Sequence, residues 1–209
     1  MSESKLKDSE LNDMELYCNC LEEIKLRMST VRRMVKGEYS LGRDDFDAEF
    51  ASIQMRKTIE LIAFSSLVAN KEIYSKEYEN YSKTWNPKYL IKDLERINPN
   101  FYPVPMFITP QEDPSSVKNL DFVKGGYLTK EEFVFLYDKM GKALHARNPF
   151  QSGENILNLK RSISEWIDRI TTLLWLHRVK MVNRESFWVV FLQRPDDGKA
   201  HVLLSEPME

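Results

Sequence analysis

Residues 142–150, KALHARNPF, place His145, Arg147 and Asn148 within four positions of one another, immediately ahead of Pro149. An imidazole exchanges a proton near neutral pH, a guanidinium holds a phosphate or a developing oxyanion, and an amide orients a bound group. Together they are the minimum equipment for metal-independent RNA cleavage. In that reading His145 is the acid/base, Arg147 the phosphate ligand and Asn148 the orienting group. Lys160 and Arg161, in the first turns after the loop, form a companion phosphate-binding pair. The same letters also spell a helix stop. His and Arg in a last turn answer the free carbonyls and the dipole, Asn adopts the stop conformation, and proline forbids continuation.

His177 is the second candidate. It closes the apolar seam Ile156, Leu159, Ile163, Trp166, Ile170, Leu173, and at such a place a histidine is expected to be partly buried and bonded to a carbonyl. It stands at the opposite end of its helix from the 142–150 loop, so the two histidines are not expected to share a site. Arg32, Arg33 and Lys36 form a small basic cluster read as a solvated helix face. Trp166, Trp175 and Trp188 are read as core; the alternative is a small-molecule pocket between helices and sheet lined by all three.

Several chemistries are excluded by what is missing. There is no GxxxxGK[ST] loop, no GxGxxG, no GxSxG, no HExxH and no CxxC pair. Cys18 and Cys20 lie two apart in a helical pattern and face different ways, which suits reduced thiols better than a disulfide or a metal pair. With three histidines in the chain, neither a metal nor a cofactor is expected. Thirty basic residues against 32 acidic ones leave no global field for nucleic acid or an anionic membrane. The opening MSESKLKDSELND lacks the pattern of a signal peptide, and no apolar run reaches the length of a membrane span, so a cytoplasmic location is expected.

The elements that must position these groups are mainly helical. Only seven glycines, with 42% apolar and 30% charged residues, fit a globular helical protein that buries a sizeable core. About five helices are expected. The first carries Met14, Tyr17, Leu21, Ile24, Met28, Val31 and Val35 in 3-4 spacing, with Asp13 capping its start and Gly37 its end. The second begins near Phe46 and is apolar nearly all round through IELIAFSSLVA, as befits the centre of a bundle. It can run on through Tyr74, Tyr78 and Tyr81. Asn86-Pro87 opens a short third helix to Ile97, Thr129 to Glu132 opens the fourth with a capping box, and the fifth holds the His177 seam. Between them, residues 98–128 hold Pro99, Pro103, Pro105, Pro110 and Pro114 and are expected to form a covering flap or partner-binding arm. The tail changes period. RVKMV, FWVVFLQ and AHVLLS, separated by NRES and RPDDGK, predict a three-stranded antiparallel meander over 178–209. The expected organisation is a tail at 1–12, a helical bundle over 13–177 and the meander packed on it.

Three blocks, QMRKTIELIAFSSLVANKE (54–72), LERINPNFYPVP (94–105) and KALHARNPF (142–150), resemble a family of uncharacterised bacterial proteins. The RKTIELIAF helix also resembles those of the HEPN superfamily, helical bundles of bacterial toxin–antitoxin and phage-defence systems that include metal-independent ribonucleases. Their catalytic pattern is Arg followed four to six residues later by His. Here His145 precedes Arg147, and Arg169 lies eight before His177, so no residue is carried over onto that pattern. The resemblance implies an intracellular helical bundle in a bacterial defence setting. The residues imply a binding or regulatory component, with a protein partner or a second copy engaged through the heptad faces of the first and fifth helices, and RNA as a further partner. The alternative is a ribonuclease toxin or effector built on His145.

Overall fold

The seam that begins at Met14 folds as α1 (Asp8–Val35), with Met14, Tyr17, Leu21, Ile24, Met28 and Val31 all turned into the core. The computed structural model describes residues 8–77, 86–109, 119–145, 156–182 and 185–205, and of residues 156–160 the backbone alone. Helix α1 starts earlier than Met14, so residues 8–12 are helical and not a tail; Asp8 and Glu10 in its first turn suit the positive helix end. Asp13 therefore caps nothing. Its carboxylate receives Lys71 Nζ at 2.9 Å. Gly37 ends the helix with φ of 77°, its N–H donating to Met34 O (3.0 Å) while Glu38 N–H donates to Arg33 O (2.9 Å), a Schellman closure.

Helix α2 (Asp44–Ala69) is the central one, touching α1 along its length and four later helices as well. Met55, Ile59, Ile62 and Ala63 are fully buried, and small residues let neighbours approach from other sides. Buried Ser52 and Ser65 donate to carbonyls of their own helix, Ala48 O at 2.7 Å and Ile62 O at 2.9 Å. The helix does not run on into the tyrosines. Asn70 leaves helical geometry, donates through Nδ2 to Ser66 O (2.9 Å), and offers its own carbonyl to the N–H groups of Ile73 and Tyr74. One residue thus closes α2 and opens α3 (Lys71–Glu77). Tyr74 is buried, not wet, its hydroxyl on Asp93 at 3.3 Å; Tyr78 and Tyr81 lie outside the described residues.

Helix α4 (Pro87–Ile97) has Asn86 as its cap, Oδ1 accepting Lys88 N–H at 3.0 Å. The proline-rich stretch then departs from expectation, because β1 (Val104–Thr109) and β2 (Asn119–Phe122) are strands. Pro105 is tolerated because β1 changes partner there. It pairs with β3 through Val104 and Pro105 and with β2 through Met106 to Thr109, so the missing N–H falls at the junction.

Helix α5 (Lys130–Lys142) opens with the expected capping box, Thr129 Oγ1 accepting Glu132 N–H and Glu132 Oε2 accepting Thr129 N–H. Helix α6 (Ile156–Leu174) stops before His177, which belongs instead to β3 (Leu176–Lys180). With β4 (Phe187–Phe191) and β5 (His201–Ser205) the sheet is five-stranded and antiparallel, in the order β2-β1-β3-β4-β5. The three-stranded meander over 178–209 is thus half of a larger sheet, completed by strands from the stretch expected to be a flap. The mainly α architecture stands, with six helices among the described residues.

Candidate functional site

Helix α5 ends at Lys142, ahead of the expected stop residues Arg147, Asn148 and Pro149, which lie outside the described residues. Ala143, Leu144 and His145 donate in turn to Lys139, Gly141 and Lys142 carbonyls at 3.4, 3.2 and 3.3 Å, and His145 is exposed. Arg147, Asn148 and the Lys160 side chain lie outside the described residues, while Arg161 is exposed on α6. One turn before His145 the cationic group in place is Arg56 of α2. A Cβ on Gly141 would stand 2.5 Å from its Nη1. Its guanidinium lies 3.8 Å from the centre of the Tyr137 ring, bonds the Tyr137 hydroxyl, and pairs with Glu60 at 3.4 Å. Gly141 is what lets α5 settle on that side chain.

His177 is wholly buried, more than the sequence reading expects. Leu174 O can only accept, so Nδ1 carries the proton and donates to it at 2.9 Å. Nε2 is then the acceptor for the Tyr17 hydroxyl at 2.8 Å. Burial pushes His177 down to about 4, against the pull of the Leu174 carbonyl, and burial likewise holds the Tyr17 hydroxyl far above its ordinary range. Both nitrogens are spent on joining α1 to β3. Arg169 is spent elsewhere, donating to Glu132 Oε2 (2.6 Å) and Tyr127 O (3.2 Å).

A cleft of about 580 Å³ opens between the start of α1, the α2–α3 joint and the end of β3. Of the three tryptophans only Trp188 lines it; Trp175 is exposed and Trp166 stacks with Arg169 at 5.1 Å. Lys71 and Lys76 on its wall face Asp13 and Glu72 at 2.9 and 3.2 Å, so the lining is close to charge-balanced. Among the described residues no group of three or more His, Cys, Asp or Glu stands ready for a metal.

The sheet's outer face is the larger feature. Strand pairing puts Val104, Met106 and Ile108 of β1 on one side with Leu120 and Phe122 of β2, Leu176 and Arg178 of β3, Phe187, Val189 and Phe191 of β4, and Leu203 of β5. The opposite side packs His177, Val179, Trp188 and Val190 against the helices, while Phe107 at its β1–β2 end is 48% exposed. Outer residues Met106, Leu176 and Val189 are themselves buried, 5%, 4% and 6% exposed, in a cluster with Phe187 and Phe191, all of them strand residues among those described. Around it Ile108, Leu120, Phe122 and Leu203 remain 41%, 38%, 48% and 46% exposed. The polar residue at the centre is Arg178, its guanidinium 4.7 Å from the Phe122 ring centre and 5.8 Å from that of Phe187, with Nε buried and unpartnered. Sequence reasoning missed this face. The signal was present in FWVVF and HVLLS, whose unbroken apolar runs belong to strands covered on both sides.

The heptad faces expected to receive a partner are used up internally. Tyr17, Leu21, Ile24 and Val31 of α1 and Ile163, Ile167, Ile170 and Leu173 of α6 are all in the core. The two helices meet within the chain, where Arg32 pairs with Asp168 at 2.9 Å. Among the described residues no helix is long and apolar enough to cross a membrane. No protein-family model, curated protein or solved structure matches the chain.

Proposed function

We propose that the chain is a binding or regulatory component that works by receiving a protein partner on the outer face of its sheet, not by catalysis at the His145 loop. One observation carries the reading: the outward positions of the five-stranded sheet are apolar, and at its β1–β2 end Ile108, Leu120 and Phe122 stand exposed together. An antiparallel sheet left open to water on one side ordinarily alternates apolar and polar positions. Here the outward positions Ile108, Leu120 and Phe122 are apolar and exposed beside buried Met106, and an exposed apolar cluster of this kind marks interaction sites. The resemblance to helical-bundle proteins of phage-defence and toxin–antitoxin systems gives the role its setting, that of an accessory subunit.

The test replaces Leu120→Glu and Phe122→Glu together. Both residues lie on an edge strand with all four positions exposed, so the melting temperature is expected to hold within a few degrees. Quantitative crosslinking and affinity capture from source cells should show a protein retained by the parent chain and depleted at least tenfold by the double variant. Identical capture profiles would remove the outer face from the function.

A further inference from the structure

We propose that two copies of the chain associate through the outward stripe of α2, antiparallel about a twofold axis, with Lys57 of each copy seated on Glu60 of the other. This contact is separate from the sheet's outer face.

The stripe follows from spacing. Phe50, Ile53, Lys57, Glu60, Phe64 and Leu67 recur at intervals of 3-4-3-4-3, which keeps all six on one line of the helix. Met55, Ile59 and Ile62 take the opposite side and are fully buried. One flank is tied to α1, where Arg27 Nη1 donates to Gln54 Oε1 at 2.6 Å, and the other to α5, where Arg56 donates to the Tyr137 hydroxyl. Between those ties Ile53 and Lys57 are exposed, while Phe50, Phe64 and Leu67 are half-buried. Glu60, paired with Arg56 at 3.4 Å, keeps a quarter of its side chain exposed. Phe46, exposed as well, prolongs the row one turn earlier, so Phe46, Phe50 and Ile53 make continuous apolar surface on successive turns. The solvated face of a helix is ordinarily polar. Here four of the six positions are apolar.

The order of the six is what chooses the occupant. From either end it reads apolar, apolar, charge, charge, apolar, apolar, and the two central charges are opposite in sign. A twofold axis midway between Lys57 and Glu60 therefore brings Ile53 of one copy to Phe64 of the other and Phe50 to Leu67, with both lysine–glutamate contacts forming together at the centre. A parallel pairing would set Lys57 on Lys57 and Glu60 on Glu60, and like charges face to face are repulsive. An antiparallel register displaced by one heptad would press each charge against an apolar side chain, which costs its hydration without a partner. A foreign helix would have to carry the same order to fit as well; a second copy already does. The six positions cover about 26 Å of helix at 1.5 Å per residue. A contact of that length is narrower than an obligate interface, so the association is reversible and depends on concentration.

The test uses the full chain in sedimentation velocity over a dilution series, where a monomer–dimer equilibrium is expected. Ile53→Glu, at an exposed position, should leave only monomer. Lys57→Glu should weaken the dimer about tenfold or more, and Lys57→Gln by less, because two attractive contacts become repulsive in the first and are merely lost in the second. Lys57→Glu combined with Glu60→Lys restores opposite charges across the axis and should return the affinity to near that of the parent, a rescue that a folding defect cannot imitate. Thermal melting reports whether each variant is folded. Should the double variant not fold, the ranking of parent, Lys57→Gln and Lys57→Glu decides the matter, since Lys57 is exposed. A parent chain that stays monomeric throughout would overturn the proposal and leave the stripe to another protein. A dimer untouched by Ile53→Glu, or one dissolved instead by Leu120→Glu with Phe122→Glu, would move self-association off α2. Equal affinities of the parent and Lys57→Glu would refute the antiparallel charge register.

Discussion

The His177–Tyr17 pair makes a quantitative prediction about acid stability. His177 titrates at about 4 in the folded chain, while an unfolded histidine titrates near 6.5. The unfolded chain therefore binds a proton that the folded chain refuses throughout the window between those values, and stability rises with pH across it. The contribution is complete above about pH 6.5 and falls away as pH drops toward 4. Integrating the linkage gives a loss of about 2 kcal/mol between pH 7.5 and 5, and about 3 kcal/mol in the limit below pH 4. The perturbation is His177→Gln, whose amide can donate to Leu174 O and accept from Tyr17 but takes up no proton. Equilibrium urea unfolding, followed by tryptophan fluorescence at several pH values from 7.5 to 5, yields ΔG for each protein. Subtracting one curve from the other cancels the carboxylates, His145 and His201. The parent chain should lose about 2 kcal/mol more than the variant over that range. A constant difference, or an NMR titration placing His177 near 6.5, would refute the assignment of a buried neutral imidazole.

Two further changes probe a tie between helix and strand and the turn that ends α1. Asn98→Ala removes a side chain whose Nδ2 donates to both Asn70 Oδ1 and Lys180 O at 2.8 Å; with two buried acceptors orphaned, chemical denaturation should show a loss of about 2–3 kcal/mol. A loss under 1 kcal/mol would mean that water reaches the site. Gly37→Ala forces a Cβ into a left-handed turn with φ of 77° and should cost about 1 kcal/mol by the same measurement, with no change expected if α1 frays back before that turn.

Segments 54–72 and 94–105 meet in space, and the first also touches the helix that leads into 142–145. Asn70 of the first block bonds Asn98 of the second, and Arg56 of the first lies under Gly141, the residue before the third.

What the amino-acid order determined by itself was local. The 3-4 spacing of α1, the caps at Asn86 and Thr129, the stop before Pro149 and the β4–β5 hairpin at Gly198 all depend on residues within one or two turns of each other, whose preferences hold wherever the segment lies. His177 as a carbonyl-bonded histidine was legible for the same reason, since its partner Leu174 is three residues away. The tertiary structure decided the rest. Which strand pairs with β3, whether 104–109 and 119–122 belong to a flap or to a sheet, and that Tyr17 is the second partner of His177 across 160 positions are settled by non-local packing. A period of two tells which residues share a face, but only the assembled sheet shows that Met106, Leu176 and Val189 gather beside Arg178 on its second face.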